Sequence, residues 1–225
     1  MKIALIGYGK MGHAIESMAV RQGHTIVCTI DNDADWDRSS DAVRQADVAI
    51  EFTTPTTAVG NIRRCFDIGI PVVCGTTGWT AQLPELTEEC IHRNQALFVA
   101  SNFSIGMNIM FMLNEYLAHI MAAHPDYSVG ITETHHIHKL DAPSGTAITL
   151  RDQIAQEISG EINITSIREG EVPGIHTVTY DSPNDTITLT HSAHNRNGLA
   201  QGALAAAEYL VGRKGFFTMR DLLQQ

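Results

Sequence analysis

One stretch concentrates the reactive side chains of this chain: Glu133-Thr134-His135-His136-Ile137-His138-Lys139-Leu140-Asp141-Ala142-Pro143-Ser144-Gly145-Thr146-Ala147. Three histidines and a lysine crowd the end of a predicted strand, Val129 to Thr134. Pro143 then fixes the backbone, and Ser144-Gly145-Thr146 opens a helix predicted from Ala147 to Ile158. A helix start offers unpaired N–H groups and the positive end of the peptide dipole, so it attracts an anion. Gly145 leaves its N–H unobstructed, and Thr146 adds a hydroxyl. With Lys139 and His136 nearby, such a site suits a small molecule with more than one carboxylate. A histidine in the same pocket titrates near neutrality and can act as a general acid. A metal site is the competing reading. His136 and His138 share one face of an extended segment and His135 the other, with neither H-E-x-x-H nor a cysteine ligand beside them. Lys139 would repel a cation, so no metal is expected.

A second motif lies at the start of the chain. Gly7-Tyr8-Gly9-Lys10-Met11-Gly12 fits G-x-G-x-x-G. The pattern is weak by itself, but here it joins a predicted strand, Lys2 to Ile6, to a predicted helix, Met11 to about Gln22. In that context Gly7 permits a tight turn, Gly9 lets the backbone approach a pyrophosphate, and Gly12 lets helix and strand pack closely. Asp31 follows the second predicted strand, Thr25 to Ile30, where a carboxylate would bond the adenosine ribose hydroxyls and repel a 2′-phosphate. Asn32 stands next to it in place of an arginine. The pair predicts a nicotinamide dinucleotide cofactor, NADH in preference to NADPH.

The elements that must position these motifs come in two rhythms. Further strands at Val48 to Phe52, Pro71 to Cys74 and Ala96 to Ala100 alternate with helices at Asn61 to Ile68 and Leu83 to Asn94. The aspartate-rich segment 31–47 reads as a loop with a short helix. This alternation predicts an α/β fold, a Rossmann-type doubly wound parallel sheet. After Asn102 come a long apolar helix from Gly106 to about Ala123, the reactive strand and helix, and two alternating strands, Ile175 to Tyr180 and Thr186 to His191. Ser182-Pro183-Asn184-Asp185 turns between them. These predict an α+β substrate-binding and oligomerisation domain at 103–195, with a mixed or antiparallel sheet. The dinucleotide-binding domain spans 1–102 and is completed by 196–225, including a small-residue helix from Gly198 to Val211.

The 225 residues carry 25 acidic and 15 basic side chains, a formal charge of −10. That argues against nucleic acid or an anionic membrane as partner. Attraction for an anionic substrate must therefore be local. No apolar stretch is long enough to span a bilayer, and the N-terminus reads as a strand and not a signal peptide. Cys28, Cys65, Cys74 and Cys90 show no C-x-x-C spacing and read as reduced thiols of a cytoplasmic protein. Of the remaining histidines, His191 and His194 are singled out near strand ends, and Arg196 as a residue that could close the site or bridge the domains.

The reactive stretch resembles the signature E-x-H-H-x-x-K-x-D-A-P-S-G-T-A of the 4-hydroxy-tetrahydrodipicolinate reductase (dihydrodipicolinate reductase) family, matched at every fixed position from Glu133 to Ala147. The resemblance continues through Phe52-Thr53, Gly75-Thr76-Thr77-Gly78, Ser101 to Gly106, Arg168-Glu169-Gly170 and Thr190-His191. It implies NAD(P)H-dependent reduction of a cyclic dicarboxylate in lysine and diaminopimelate biosynthesis. Hydride would go to ring C4, His135 would donate the proton, and Lys139 would assist. His136, Ser144, Gly145 and Thr146 would hold the carboxylates. Gly7, Tyr8, Gly9, Lys10, Met11, Gly12 and Asp31 would hold the adenosine and pyrophosphate. Phe52, Gly75, Thr76, Thr77, Ala100, Ser101, Asn102 and Phe103 would complete the cofactor site. A homotetramer is implied too. This chain departs from longer members after Asp31, after Glu171, and at Thr54, where an arginine is common. Two other functions fit parts of the pattern: a different two-domain nicotinamide dehydrogenase, and an NADH-sensing protein without catalysis.

Overall fold

The structure, a computed structural model, describes residues 1–195 and 197–224. In chain order its elements are β1 Lys2–Ile6, α1 Lys10–Arg21, β2 Thr25–Ile30, α2 Asp33–Val43, β3 Val48–Glu51, α3 Pro55–Ile68, β4 Val72–Cys74, α4 Leu83–His92, β5 Ala96–Val99 and α5 Ile105–Met121. They continue with β6 Ser128–His135, α6 Gly145–Ala155, β7 Asn163–Arg168, β8 Ile175–Asp181, β9 Thr186–Ser192, α7 Asn197–Leu210, β10 Gly215–Phe217 and α8 Met219–Leu223. Two compact units result, one from residues 1–105 with 197–224, the other from 106–195.

The first unit is a six-stranded sheet in the order β10-β5-β4-β3-β1-β2, with every neighbouring pair parallel. Both faces are buried, which is why its strands are apolar runs without alternation. Ile3, Leu5, Val48, Ile50 and Phe98 pack on one face, and Ala4, Ile6, Ala49, Val72 and Leu97 on the other. The strand order reverses between β1 and β3, the place where doubly wound sheets open a crevice at their carboxyl ends.

Two parts of this unit depart from the sequence expectation. The aspartate-rich segment forms an 11-residue helix, α2, and not a loop with a short helix. The Asn32 side chain accepts a hydrogen bond from Asp35 N at 3.2 Å, and Asp33 and Asp35 sit in the first turn, so the acids favour the helix start. Strand β10 has three residues, too few for periodicity to reveal, yet it forms the edge beside β5.

The second unit is a four-stranded sheet, β7-β6-β8-β9. Strand β7 is an addition to the strands that the sequence pattern predicts. It runs parallel to β6, while β8 and β9 are antiparallel, so the sheet is mixed. Helix α6 supplies the crossover that a parallel neighbour requires. Ile131, Val178 and Tyr180 pack with Met107, Met110, Ala147, Leu150 and Ile154 of α5 and α6. The alternate residues form the opposite face, where threonines align across all four strands as Thr165, Thr132, Thr177 and Thr190.

Candidate active site

The helix-covered face of the second sheet changes chemistry along its length. Ile164, Ile131, Val178 and Leu189 form one apolar row across the strands. Two residues further, the same register aligns Ser166, Glu133, His176 and His191. Two residues further again, His135 of β6 stands beside Arg168 of β7. Strand alternation keeps all of these side chains on the buried face. A hydrophobic core thus passes into a row of titratable groups at the end of β6.

Glu133 is the centre of that row and is 0% exposed. Its Oε1 accepts from Ser144 N at 3.0 Å and from Arg168 Nη2 at 3.1 Å. Its Oε2 lies at an ion-pair distance of 2.9 Å from His135 Nδ1 and 4.0 Å from His176 Nε2. Burial alone would raise the pKa of this carboxyl, but hydrogen bonds from Ser144, Ser166 and Arg168 outweigh it and hold it at about 2. The group is a fixed negative charge. His176 packs edge-on against His135, with ring centroids 5.0 Å apart, and its Nε2 is 3.3 Å from Ser144 Oγ. Burial and the neighbouring His135 push its pKa down to about 4. Burial also lowers the pKa of His135, against the pull of Glu133 and with the push of Lys139 and Arg168. Gly174 makes room for this ring: a Cβ there would lie 3.1 Å from His135 Nε2, at φ +155°.

The loop between β6 and α6 is held from β7. Arg168 donates to the carbonyls of Asp141 at 2.6 Å and Lys139 at 3.4 Å. Lys139 Nζ donates to Asp141 Oδ1 at 2.8 Å. His136 is half-buried, and exposed His138 lies 3.0 Å from Glu171. Ser144 caps α6 by accepting from Ala147 N at 3.2 Å, and no acid stands in the first turn. A Cβ at Gly145 would meet nothing within 4 Å, so this helix start is open as the sequence predicts.

In the first unit the glycine loop connects β1 to α1. A Cβ at Gly7 would lie 2.0 Å from the Phe52 carbonyl oxygen, and one at Gly12 would lie 2.4 Å from that of Gly7. A Cβ at Gly9 would meet nothing within 4 Å. Two glycines therefore serve packing and the third leaves space, the division a dinucleotide loop requires. Helix α1 has no side-chain cap and no acid in its first turn. Beside the loop is a cavity of about 460 Å³ lined by Gly7, Gly9, Asp31, Phe52 and Thr53, among others. Asp31 Oδ1 accepts from Tyr8 N at 2.9 Å, tying the end of β2 to the loop. These residues fit a dinucleotide.

The other residues expected at the cofactor have varied surroundings. Lys10 is exposed and Met11 half-buried. A Cβ at Gly75 would strike the Phe52 ring at 2.2 Å, and Thr76 Oγ1 accepts from Thr53 N at 2.7 Å. Thr77 and Ser101 are exposed, and Ala100 N donates to Cys74 O at 3.2 Å. Asn102 Oδ1 accepts from Ser104 N at 2.8 Å. Phe103 is a core side chain, packed against Phe52 and Phe98.

Three residues of the reactive row receive no role from sequence reasoning, although Glu133 and Arg168 fall inside the quoted motifs. His176, and not His191 or His194, adjoins His135. Its parity is a usable signal, because it alternates with Val178 and Tyr180 on a strand that its pattern predicts. Glu133 shares parity with Ile131 in the same way. Arg168 lies on β7, the strand that the pattern does not predict. His191 is half-buried and a row neighbour of His176, while His194 is exposed. Arg196 lies outside the described residues. Among the described residues, Glu133, His135 and His176 are the one group of side chains that could jointly hold an ion, with donor atoms within 4.8 Å of one another. Arg168, 3.1 Å from that carboxylate, opposes a cation there.

A parallel sheet with a glycine loop at its switch point, together with a mixed sheet carrying a histidine row beside an open helix start, defines a two-domain nicotinamide-dependent oxidoreductase. Comparison with known proteins makes the class specific. Residues 1–103 match the family described as "Dihydrodipicolinate reductase, N-terminus", and residues 106–223 match "Dihydrodipicolinate reductase, C-terminus". The chain is 47% identical to 4-hydroxy-tetrahydrodipicolinate reductase of Christiangramia forsetii, over 99% of this chain and 98% of that one. It is 33% identical to the enzyme of the same name from Staphylococcus haemolyticus, over 99% and 100%. Among solved structures, the dipicolinate-bound dihydrodipicolinate reductase from Paenisporosarcina sp. TG-14 shares the fold with a TM-score of 0.82 at 23% identity, covering 97% of each chain. An amine dehydrogenase from Mycobacterium smegmatis shares it more loosely, at TM-score 0.63 and 11% identity, over 98% of this chain and 95% of that one. The chain belongs to the dihydrodipicolinate reductase family, NAD(P)H-dependent oxidoreductases of lysine and diaminopimelate biosynthesis.

Proposed function

We propose that this chain reduces 4-hydroxy-tetrahydrodipicolinate to tetrahydrodipicolinate, with His135 as the proton donor. The observation that carries the reading is the row ending in His135, packed beside the open start of α6. NAD(P)H, when bound, supplies the hydride that goes to ring C4. Every other task falls to side chains and backbone of the chain. Ser144, Gly145 and Thr146 hold a substrate carboxylate by helix-start N–H groups and hydroxyls, and His136 contributes to the same grip. Lys139 exchanges Asp141 for a substrate carboxylate and assists proton delivery. Glu133 opposes the burial that lowers the pKa of His135, which eases protonation of the ring before it delivers that proton to the carbon next to C4. The resulting neutral histidine is tolerated because burial already disfavours its charge.

The cofactor is held by Gly7, Tyr8, Gly9, Lys10, Met11 and Gly12 at the pyrophosphate. Asp31 takes the ribose and makes NADH the preferred cofactor. Phe52, Gly75, Thr76, Thr77 and Ala100 to Asn102 complete the nicotinamide half, while Phe103 contributes through its backbone. The threonine-lined sheet face is the natural site of self-association, and a homotetramer is the proposed assembly. Among the described residues no helix is long and apolar enough to cross a membrane, and a cytoplasmic location is proposed.

The test is oxidation of NADH and of NADPH, with substrate generated in situ by a dihydrodipicolinate synthase from pyruvate and aspartate semialdehyde. Turnover that depends on the synthase is expected, faster with NADH. Cofactor binding without turnover would favour a sensor, and no oxidation of either cofactor would overturn the reading.

A further inference from the structure

The cavity beside the glycine loop contains a side chain that neither the sequence motifs nor the family signature accounts for. Trp36, on α2, lines it together with Gly9, Asp31, Phe52 and Asn61. The indole is half-buried and fixed in position. Its Nε1 donates to Asn61 Oδ1 at 3.2 Å. Asn61 Nδ2 donates in turn to Thr53 Oγ1 at 3.3 Å, and that hydroxyl donates to the carboxylate of Glu51, which is fully buried at the end of β3. The ring edge is thus anchored by a chain of hydrogen bonds into the sheet.

The other side of the indole is supported as well. The Arg64 guanidinium stands 5.4 Å from the ring centroid and pairs with Asp33 at 2.7 Å. Arg64 and Trp36 together line a separate hollow of about 410 Å³, and Arg64 does not line the cavity beside the glycine loop. The indole therefore presents a rigid, backed surface to that cavity. Its place selects the ligand group. Asp31 closes β2, which lies across β1 from β3 and β4, and Trp36 lines the same cavity as Asp31. In a doubly wound sheet this is the adenosine side of the dinucleotide.

We propose that Trp36 is the stacking platform for the adenine ring, with Asn61 as the positioning residue that sets its plane. This rests on the reading of the glycine loop as a dinucleotide site. An aromatic platform strengthens base binding by about five- to hundredfold.

The experiment is calorimetric titration of the full chain and its Trp36→Leu and Trp36→Phe variants with NADH, with ADP-ribose, and with reduced nicotinamide mononucleotide, which lacks adenine. Trp36→Leu should weaken NADH and ADP-ribose by about tenfold or more, leave the mononucleotide unchanged, and be partly rescued in Trp36→Phe. ADP-ribose should also quench tryptophan fluorescence in the parent, and the Leu variant should lose that quenching. Equal losses for NADH and the mononucleotide would overturn the proposal, since they indicate a damaged fold. So would undiminished NADH affinity in Trp36→Leu. If the parent chain binds none of the three, the dinucleotide reading itself fails.

Discussion

Helices α1 and α6 each have an open start, and they are built in opposite ways. At α1 the N-cap is Gly9, with no capping side chain, and the nearby space is empty. At α6 the N-cap is Ser144, whose hydroxyl caps Ala147 N and approaches His176, and whose own N–H donates to Glu133. The first start is bare backbone and can serve any phosphate. The second is tied to the titratable row, so in the proposed reaction the carboxylate grip and the proton transfer would share one hydrogen-bond network. Binding alone needs only the first design. Chemistry coupled to binding needs the second.

The largest expected effect tests whether the α6 side alone carries chemistry. His135→Gln should lower kcat by about 10²- to 10⁴-fold and leave the NADH dissociation constant unchanged. Steady-state kinetics with calorimetry on the same preparation would show it, and near-normal kcat would erase the contrast.

Stability should show the same asymmetry in acid. The pKa of folded His176 is about 4, against 6.5 for a free histidine, so between those values the unfolded chain binds this proton more readily. Stability is full above pH 6.5 and falls as pH drops towards 4, by roughly 3 kcal/mol. Glu133 continues the loss between about 4.5 and about 2, where its lowered pKa makes the unfolded chain the better proton acceptor. Thermal denaturation across this range should decline steeply in the parent and more shallowly between pH 6.5 and 4 in His176→Gln.

Two glycine replacements separate the helix starts. Gly145→Val should raise KM for the cyclic dicarboxylate about three- to tenfold with the cofactor KM unchanged. Gly9→Val should do the reverse. Neither Cβ meets protein atoms, so melting temperatures should stay near the parent value. Parallel changes in both KM values would break the comparison. The smallest effect is expected for Asp31→Ala, which should shift the NADH to NADPH ratio of kcat/KM towards NADPH, by about tenfold or less.

These residues also show what a sequence can disclose. The glycine loop and the Ser144-Gly145 helix start are local, because their function follows from neighbours in the chain, and both are legible from residue order alone. Strands β1 to β5 of the first sheet are legible because burial on both faces leaves continuous apolar runs, while the three-residue β10 is not. The reactive row is different, since it exists only through register. His176 meets Glu133 because β8 pairs antiparallel with β6, and Arg168 arrives on β7 by parallel pairing. Strand β7 reads Asn-Ile-Thr-Ser-Ile-Arg, with apolar residues three apart, so strict alternation does not reveal it. Trp36 is hidden for another reason: four of the eleven residues of its helix are aspartates, which suit a loop equally well until Asn32 caps the helix.

Helix α7 has one further consequence, for the order in which the protein can be made. Ala200, Ala203, Ala206 and Ala207 are fully buried against the core of the first unit, and a Cβ at Gly202 would lie 1.7 Å from the Phe103 carbonyl oxygen. The glycine loop leaves the ribosome early, but this wall of its core is not translated until Asn197 and beyond. The second unit is continuous in sequence and is complete before that point. Synthesis therefore inverts the order of the chain: the later unit can close first, and the earlier one waits, with apolar surface uncovered, for the last helices to be added.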